Sequence, residues 1–127
     1  MKINKILIKT IEGKYPILIG KDIVSKLENL LKKNNIFSSK ILLVIDRKVP
    51  SKFINKIIKS FKKKIYIIYL TSNEKNKSQK SVDKIINILL KNNFNRNDCL
   101  ISVGGGIVGD LSAYTASIFK RGLSYVS

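Results

Sequence analysis

Ile41-Leu42-Leu43-Val44-Ile45 is an unbroken aliphatic run in a chain of 127 residues that carries 22 Lys. A strand with one wet face alternates apolar and polar side chains. Five aliphatic residues in succession need cover on both faces, as in a parallel sheet held between helices. Ile65 to Leu70 and Cys99 to Val103 read as further strands of this kind, and Leu123 to Val126 as the start of another. The segments between them have helical spacing. Pro50 suits the first turn of a helix that turns Phe53, Ile54, Ile57, Ile58 and Phe61 inward. Ser78 to Asn92 carries Val82, Ile85, Ile86, Leu89 and Leu90 on one stripe, and Ile107 to Lys120 reads as a helix. Strand and helix alternate, so the expected fold is α/β. It is a Rossmann-like, largely parallel open sheet with helices on both faces.

Two elements precede that pattern. Ile3 to Lys9 and Tyr15 to Gly20 form an expected β-hairpin around Glu12-Gly13-Lys14, and Lys21 to Lys33 an expected helix with Ile23, Leu27, Leu30 and Leu31 inward. Asn92 to Asp98 reads as a polar connection. The sequence stops at Ser127 as a strand begins, which suggests the front part of a larger protein.

Composition removes several functions. The net charge is +17, yet 22 Lys, 22 Ile and 12 Asn accompany only three arginines, Arg47, Arg96 and Arg121. Nucleic-acid surfaces favour arginine forks and interleaved aromatics, whereas these lysines are scattered. The charge is compositional background, and no nucleic-acid partner is expected. No apolar run approaches the roughly 18 residues of a membrane span, so no membrane partner is expected either. The N-terminal residues lack a secretion-type apolar stretch, and a cytoplasmic location follows as an expectation. One cysteine, Cys99, excludes an internal disulfide, and the lack of histidine excludes most zinc sites within these residues.

The most informative stretch is Leu100-Ile101-Ser102-Val103-Gly104-Gly105-Gly106-Ile107-Val108-Gly109-Asp110. A buried strand enters three glycines and a helix opens at once. Glycines admit a sharp turn and remove side chains that would hold a phosphate away from backbone N–H groups. The helix start then offers free donors and partial positive charge to a pyrophosphate. Gly104, Gly106 and Gly109 satisfy G-x-G-x-x-G, but the dehydrogenase fingerprint follows the first strand and has an acid about 20 residues on. Neither holds here. A tight strand-to-helix turn without ligand uses the same residues, and Asp110 in a first helical turn is favoured by the dipole in any case.

Gly104-Gly105-Gly106-Ile107-Val108-Gly109-Asp110-Leu111, followed by Ala113, Ala116 and Arg121-Gly122, resembles the G-G-G-x-x-G-D-L…R-G block of the 3-dehydroquinate synthase family. Leu43-Val44-Ile45-Asp46 and the Glu74 to Ser78 loop resemble two further family segments, and Tyr15-Pro16-Ile17 matches its opening. The likeness extends over the whole chain and about the first third of the enzyme. It implies that residues 1–127 form an N-terminal NAD-binding domain, with a helical metal- and substrate-binding domain absent from this chain.

The resemblance also implies roles. Gly105, Gly106, Ile107, Val108, Gly109 and Asp110 would hold the pyrophosphate and nearby ribose of NAD. Asp46 would accept from ribose hydroxyls. Ser72, Asn73, Glu74 and Lys77 would meet the cofactor from the adjoining loop, and Arg121 would reach the phosphate end of a sugar phosphate, in the partner subunit's site of a homodimer. Family reasoning further implies a divalent metal, zinc or cobalt, whose ligands lie outside this chain. No catalytic residue is expected within it, and alone it should be inactive. Three departures stand out. Asn73 replaces a glycine, which a left-handed backbone would tolerate, Asn76 replaces an aromatic, and Lys48 stands where the family has Asn. The implied reaction converts 3-deoxy-D-arabino-heptulosonate 7-phosphate to 3-dehydroquinate and phosphate, in aromatic amino acid biosynthesis. A related sugar-phosphate cyclase, a metal-dependent polyol dehydrogenase, a basic nucleic-acid-binding module and a truncated product remain alternatives.

Overall fold

The structure, a computed structural model, describes residues 2–127. Strands β1 (Ile3–Thr10) and β2 (Gly13–Gly20) pair antiparallel from Ile3↔Gly20 to Thr10↔Gly13 and form a separate hairpin. Then come α1 (Leu27–Lys33), β3 (Lys40–Asp46), α2 (Ser51–Lys59), β4 (Lys64–Leu70), α3 (Gln79–Lys91), β5 (Cys99–Val103), α4 (Gly106–Ile118) and β6 (Ser124–Val126). The main sheet has the order β4-β3-β5-β6, all parallel. The expected α/β sheet with a leading hairpin is present.

Residue parity on β3 sorts the core. Leu42 and Val44 point to one face, with Leu70, Val82, Ile85, Leu89, Leu100, Val108 and Leu111, under α3 and α4. Ile41, Leu43 and Ile45 point to the other, with Leu31, Ile54, Ile57, Cys99 and Ile101, under α1 and α2. All five residues of the aliphatic run are fully buried, as a strand between two helical layers requires. The burial of Cys99 pushes its thiol up to about 12.

Several local expectations are corrected. The segment from Lys21 to Lys33 is not one helix: a single 3-10 turn, Ile23–Lys26, follows Asp22 at φ 56° and precedes α1. Phe53 and Leu90 are exposed, at 41% and 53%. Phe53 sits in the first turn of α2, beside Lys52 Nζ at 5.1 Å from its ring, while Leu90 lies at the end of α3 on the rim of its stripe. β4 is an edge strand, so most of it is half-buried instead of sealed. Pro50 precedes α2 in an extended conformation (ψ 138°) and lies outside its first turn. No helix among the described residues is long and apolar enough to cross a membrane.

Candidate functional site

The chain runs from β3 outward to β4, then crosses back so that β5 lies on the other side of β3. The loops after β3 and β5 therefore diverge and leave a crevice at the carboxyl ends of the strands. Open α/β sheets bind ligands at such a switch point. Asp46 ends β3, and Gly104 follows β5 directly across from it. A Cβ on Gly104 would lie 2.7 Å from Asp46 Cβ, and Gly104 has φ 150°. Two constraints, one steric and one conformational, demand glycine there.

The next two glycines are different. Gly105 has φ −89° and precedes α4 without any side-chain cap, and Gly106 opens the helix. A Cβ at either would meet nothing within 4 Å. The fold does not need glycine at these positions, which are exposed and leave the first backbone donors of α4 open to the crevice. Ile107 is half-buried and Val108 is locked in the core. Gly109 lies one turn in, where its carbonyl accepts from Tyr125 Oη at 3.1 Å. Since the Tyr125 proton goes to that carbonyl, Ser102 Oγ donates to Tyr125 Oη at 2.8 Å. This pair, absent from the sequence reading, ties the start of α4 to β5 and β6.

Asp46 is buried and its Oδ1 accepts from the Lys48 N–H at 3.0 Å, so residue 48 contributes its backbone while its side chain is free of that role. Ser72, Asn73, Glu74 and Lys77 lie in the loop after β4, on the same edge of the sheet. Asn73 does not need a left-handed backbone: its φ is −152°, and its side chain caps a 3-10 turn, Glu74–Asn76, by accepting from the Asn76 N–H at 2.8 Å. Asn76 in turn donates to the Thr71 carbonyl at 2.9 Å. Glu74 is exposed at the start of that 3-10 turn. Lys77 Nζ donates to Asp110 Oδ2 at 3.0 Å, which joins the β4 loop to α4 across a shallow cleft of about 320 Å³. That bond holds the Lys77 ammonium above its ordinary range. Asp110 is the fifth residue of α4, beyond the first turn, so the dipole argument for its acid does not apply.

Arg121 stands apart. It precedes β6 and lines an open cleft of about 490 Å³ with Arg96, Asn97, Gly122, Leu123 and Ser124. Register places this cleft at the amino ends of β5 and β6, since Cys99 pairs with Ser124. Four residue steps of β5, about 13 Å, separate it from the glycine turn. The structure does not bring Arg121 to the crevice of its own chain. The Asn92–Asp98 connection is also more than a polar loop. Asp98 is fully buried and accepts from Ser39 Oγ, the Lys40 N–H and the Asn95 N–H, each at 3.0 Å. Among the described residues no group of three or more His, Cys, Asp or Glu side chains is placed to hold a metal ion.

A parallel sheet whose switch-point crevice is floored by a glycine turn and a bare helix start has the form of a Rossmann-like domain. Two solved structures share it. A 2-deoxy-scyllo-inosose synthase superposes with a TM-score of 0.85 at 18% identity, over 96% of this chain and 35% of that one. The same kind of enzyme complexed with carbaglucose-6-phosphate, NAD+ and Co2+ gives 0.85 at 18%, over 96% and 33%. Residues 67–127 match the family described as 3-dehydroquinate synthase N-terminal. The 3-dehydroquinate synthase of Pelagibacter ubique is 47% identical over 128 residues, which is 100% of this chain and 35% of that protein. That of Sulfurimonas denitrificans is 31% identical over 127 residues, 99% of this chain and 34% of that protein. The chain thus spans about a third of the length of the curated relatives it matches. The whole chain corresponds to the N-terminal portion of the 3-dehydroquinate synthases it matches.

Proposed function

We propose that residues 1–127 form the NAD-binding part of a cytoplasmic 3-dehydroquinate synthase, which converts 3-deoxy-D-arabino-heptulosonate 7-phosphate to 3-dehydroquinate and phosphate. The carrying observation is the contrast within the glycine turn. Gly104 is required by its φ and by Asp46, whereas Gly105 and Gly106 serve no packing need. Unneeded glycines cost chain entropy, and keeping the space above a helix start clear allows a pyrophosphate to reach backbone donors. The crevice therefore fits the cofactor.

In this reading Gly105, Gly106, Ile107, Val108 and Gly109 hold the pyrophosphate through the backbone. Asp46, beside Gly104, accepts from ribose hydroxyls. Asp110 and Lys77, already paired, close the cofactor from the side of the β4 loop, with Ser72, Asn73 and Glu74 along it. When bound, NAD supplies reversible oxidation of one substrate hydroxyl, which acidifies the adjacent C–H for loss of phosphate. The metal, zinc or cobalt, and its ligands belong to the remaining two-thirds of the enzyme, so this chain alone is inactive. Arg121, at the far edge of the sheet, serves a second copy in a homodimer.

Isothermal titration of NAD into the 127-residue chain tests the cofactor half of this reading. One binding event per chain is expected, lost in G105V without loss of the cooperative melt. A folded chain that takes up no NAD overturns it.

A further inference from the structure

The cleft at the amino ends of β5 and β6 holds two of the three arginines in a chain whose other 22 cations are lysines. Each is presented by a braced segment. Arg96 lies in the loop that Asp98 pins from below through the Asn95 N–H, while the same carboxylate holds Ser39 Oγ and the Lys40 N–H. Arg121 follows Lys120, and both carry positive φ, 69° and 43°, outside the region favoured by such side chains. Three bonds hold that turn: the Gly122 N–H to the Phe119 carbonyl at 2.8 Å, the Leu123 N–H to the Ala116 carbonyl at 2.8 Å, and Lys120 Nζ to the Phe94 carbonyl at 3.0 Å. The last bond ties the Arg121 turn to the loop of Arg96. Asp98, the carboxylate built into this loop, is buried beneath it and surrounded by donors. The exposed guanidinium groups line the cleft with no carboxylate among its lining residues.

We propose that Arg96 is a second binding residue in the Arg121 cleft, so that both guanidinium groups hold one phosphate monoester. Planar forks engage phosphate oxygens in pairs, which a lysine cannot do. The cleft opens about 13 Å along β5 from the glycine turn, so its anion is not the pyrophosphate held there by the same chain. Only the identity of the ligand, the phosphate end of a sugar phosphate bound to a second copy, rests on the function proposed above.

Three arginines make three side-chain Nε–H signals, and Arg47, beyond the end of β3, is an internal control. Inorganic phosphate titrated into the 127-residue chain at 0.15 M KCl is expected to move Arg96 and Arg121 along one saturating curve and leave Arg47 still. R96K, which keeps the charge and loses the fork, is expected to weaken that binding about tenfold. An Arg96 signal that stays still, or three signals drifting together without saturation, overturns the proposal; the latter marks the general attraction of a +17 chain for anions. Titration with NAD, read at the Gly105, Gly106 and Gly109 amides, separates this outcome from failure of the cofactor reading. In a complete enzyme carrying this chain, R96K is expected to raise KM for the sugar phosphate about tenfold with kcat within twofold. An unchanged KM also overturns the proposal.

Discussion

Under the proposals above, the two ends of β5 would meet an anion in opposite ways. At the carboxyl end, past Val103, three glycines strip away side chains so that backbone N–H groups face the crevice. At the amino end, before Cys99, the backbone is held down by Asp98 and the charge is carried by long side chains, Arg96 and Arg121. A backbone cradle depends on what is missing, and so tolerates no added atoms. A side-chain clamp depends on what supports it, and so fails when its support is removed.

That contrast predicts unequal costs. The largest belongs to Asp98→Ala, which removes the buried acceptor shared by Ser39 Oγ, the Lys40 N–H and the Asn95 N–H. A loss of about 3–5 kcal/mol is expected in urea unfolding. A change under 1 kcal/mol would show the amino end to be no more braced than an ordinary loop. Next comes Gly104→Ala, whose Cβ would meet Asp46 Cβ at 2.7 Å in a backbone of φ 150°. It should cost about 2–4 kcal/mol. Gly105→Ala should stay within about 1 kcal/mol of the parent while weakening NAD binding at least tenfold, because its Cβ points into open space. Equal destabilisation by both alanines would erase the distinction between the structural glycine and the ligand-facing one.

A smaller effect concerns Cys99, at the foot of β5. Its thiol is held up to about 12 against an ordinary 9.0, by burial. The folded chain keeps that proton more tightly than the unfolded chain, so unfolding releases a proton above pH 9. Stability is expected to be level below pH 9 and to fall by up to about 1.4 kcal/mol per pH unit between 9 and 12. Comparison with Cys99→Ser isolates this slope from the titration of the lysines. The smallest change is expected from the exposed Lys77–Asp110 pair. Lys77→Ala should leave the urea midpoint unchanged, since the pair is exposed and screened by solvent, yet weaken NAD binding if the pair closes the cofactor crevice. Calorimetry on the same variant reads both.

Much of the architecture was legible because it follows from periodicity. The run at Ile41–Ile45 had to lie between two layers, and the stripe on Val82, Ile85 and Leu89 had to face it. Legibility failed at ends and edges. Phe53 and Leu90 fit the helical stripe but sit where the neighbouring element no longer covers it. From sequence Asn73 is a substitute for glycine, whereas in the fold its side chain caps a turn from an extended backbone. Asp110 was legible as a site candidate from its motif, but its bond to Lys77, 33 positions earlier, was not.

The sequence by itself determined the alternation of strands and helices, the two-sided burial of β3 and the glycine turn after β5. These depend on side-chain period and on local backbone freedom, which neighbouring residues encode. Tertiary structure alone decided that Gly104 is locked by Asp46 while Gly105 and Gly106 face open space, that Asp98 is a buried hub, and that Arg96 shares a cleft with Arg121 at the far end of the sheet. Those facts depend on strand order. The register between β3, β5 and β6 brings together residues up to 59 positions apart, and no local pattern along the chain records which partners meet.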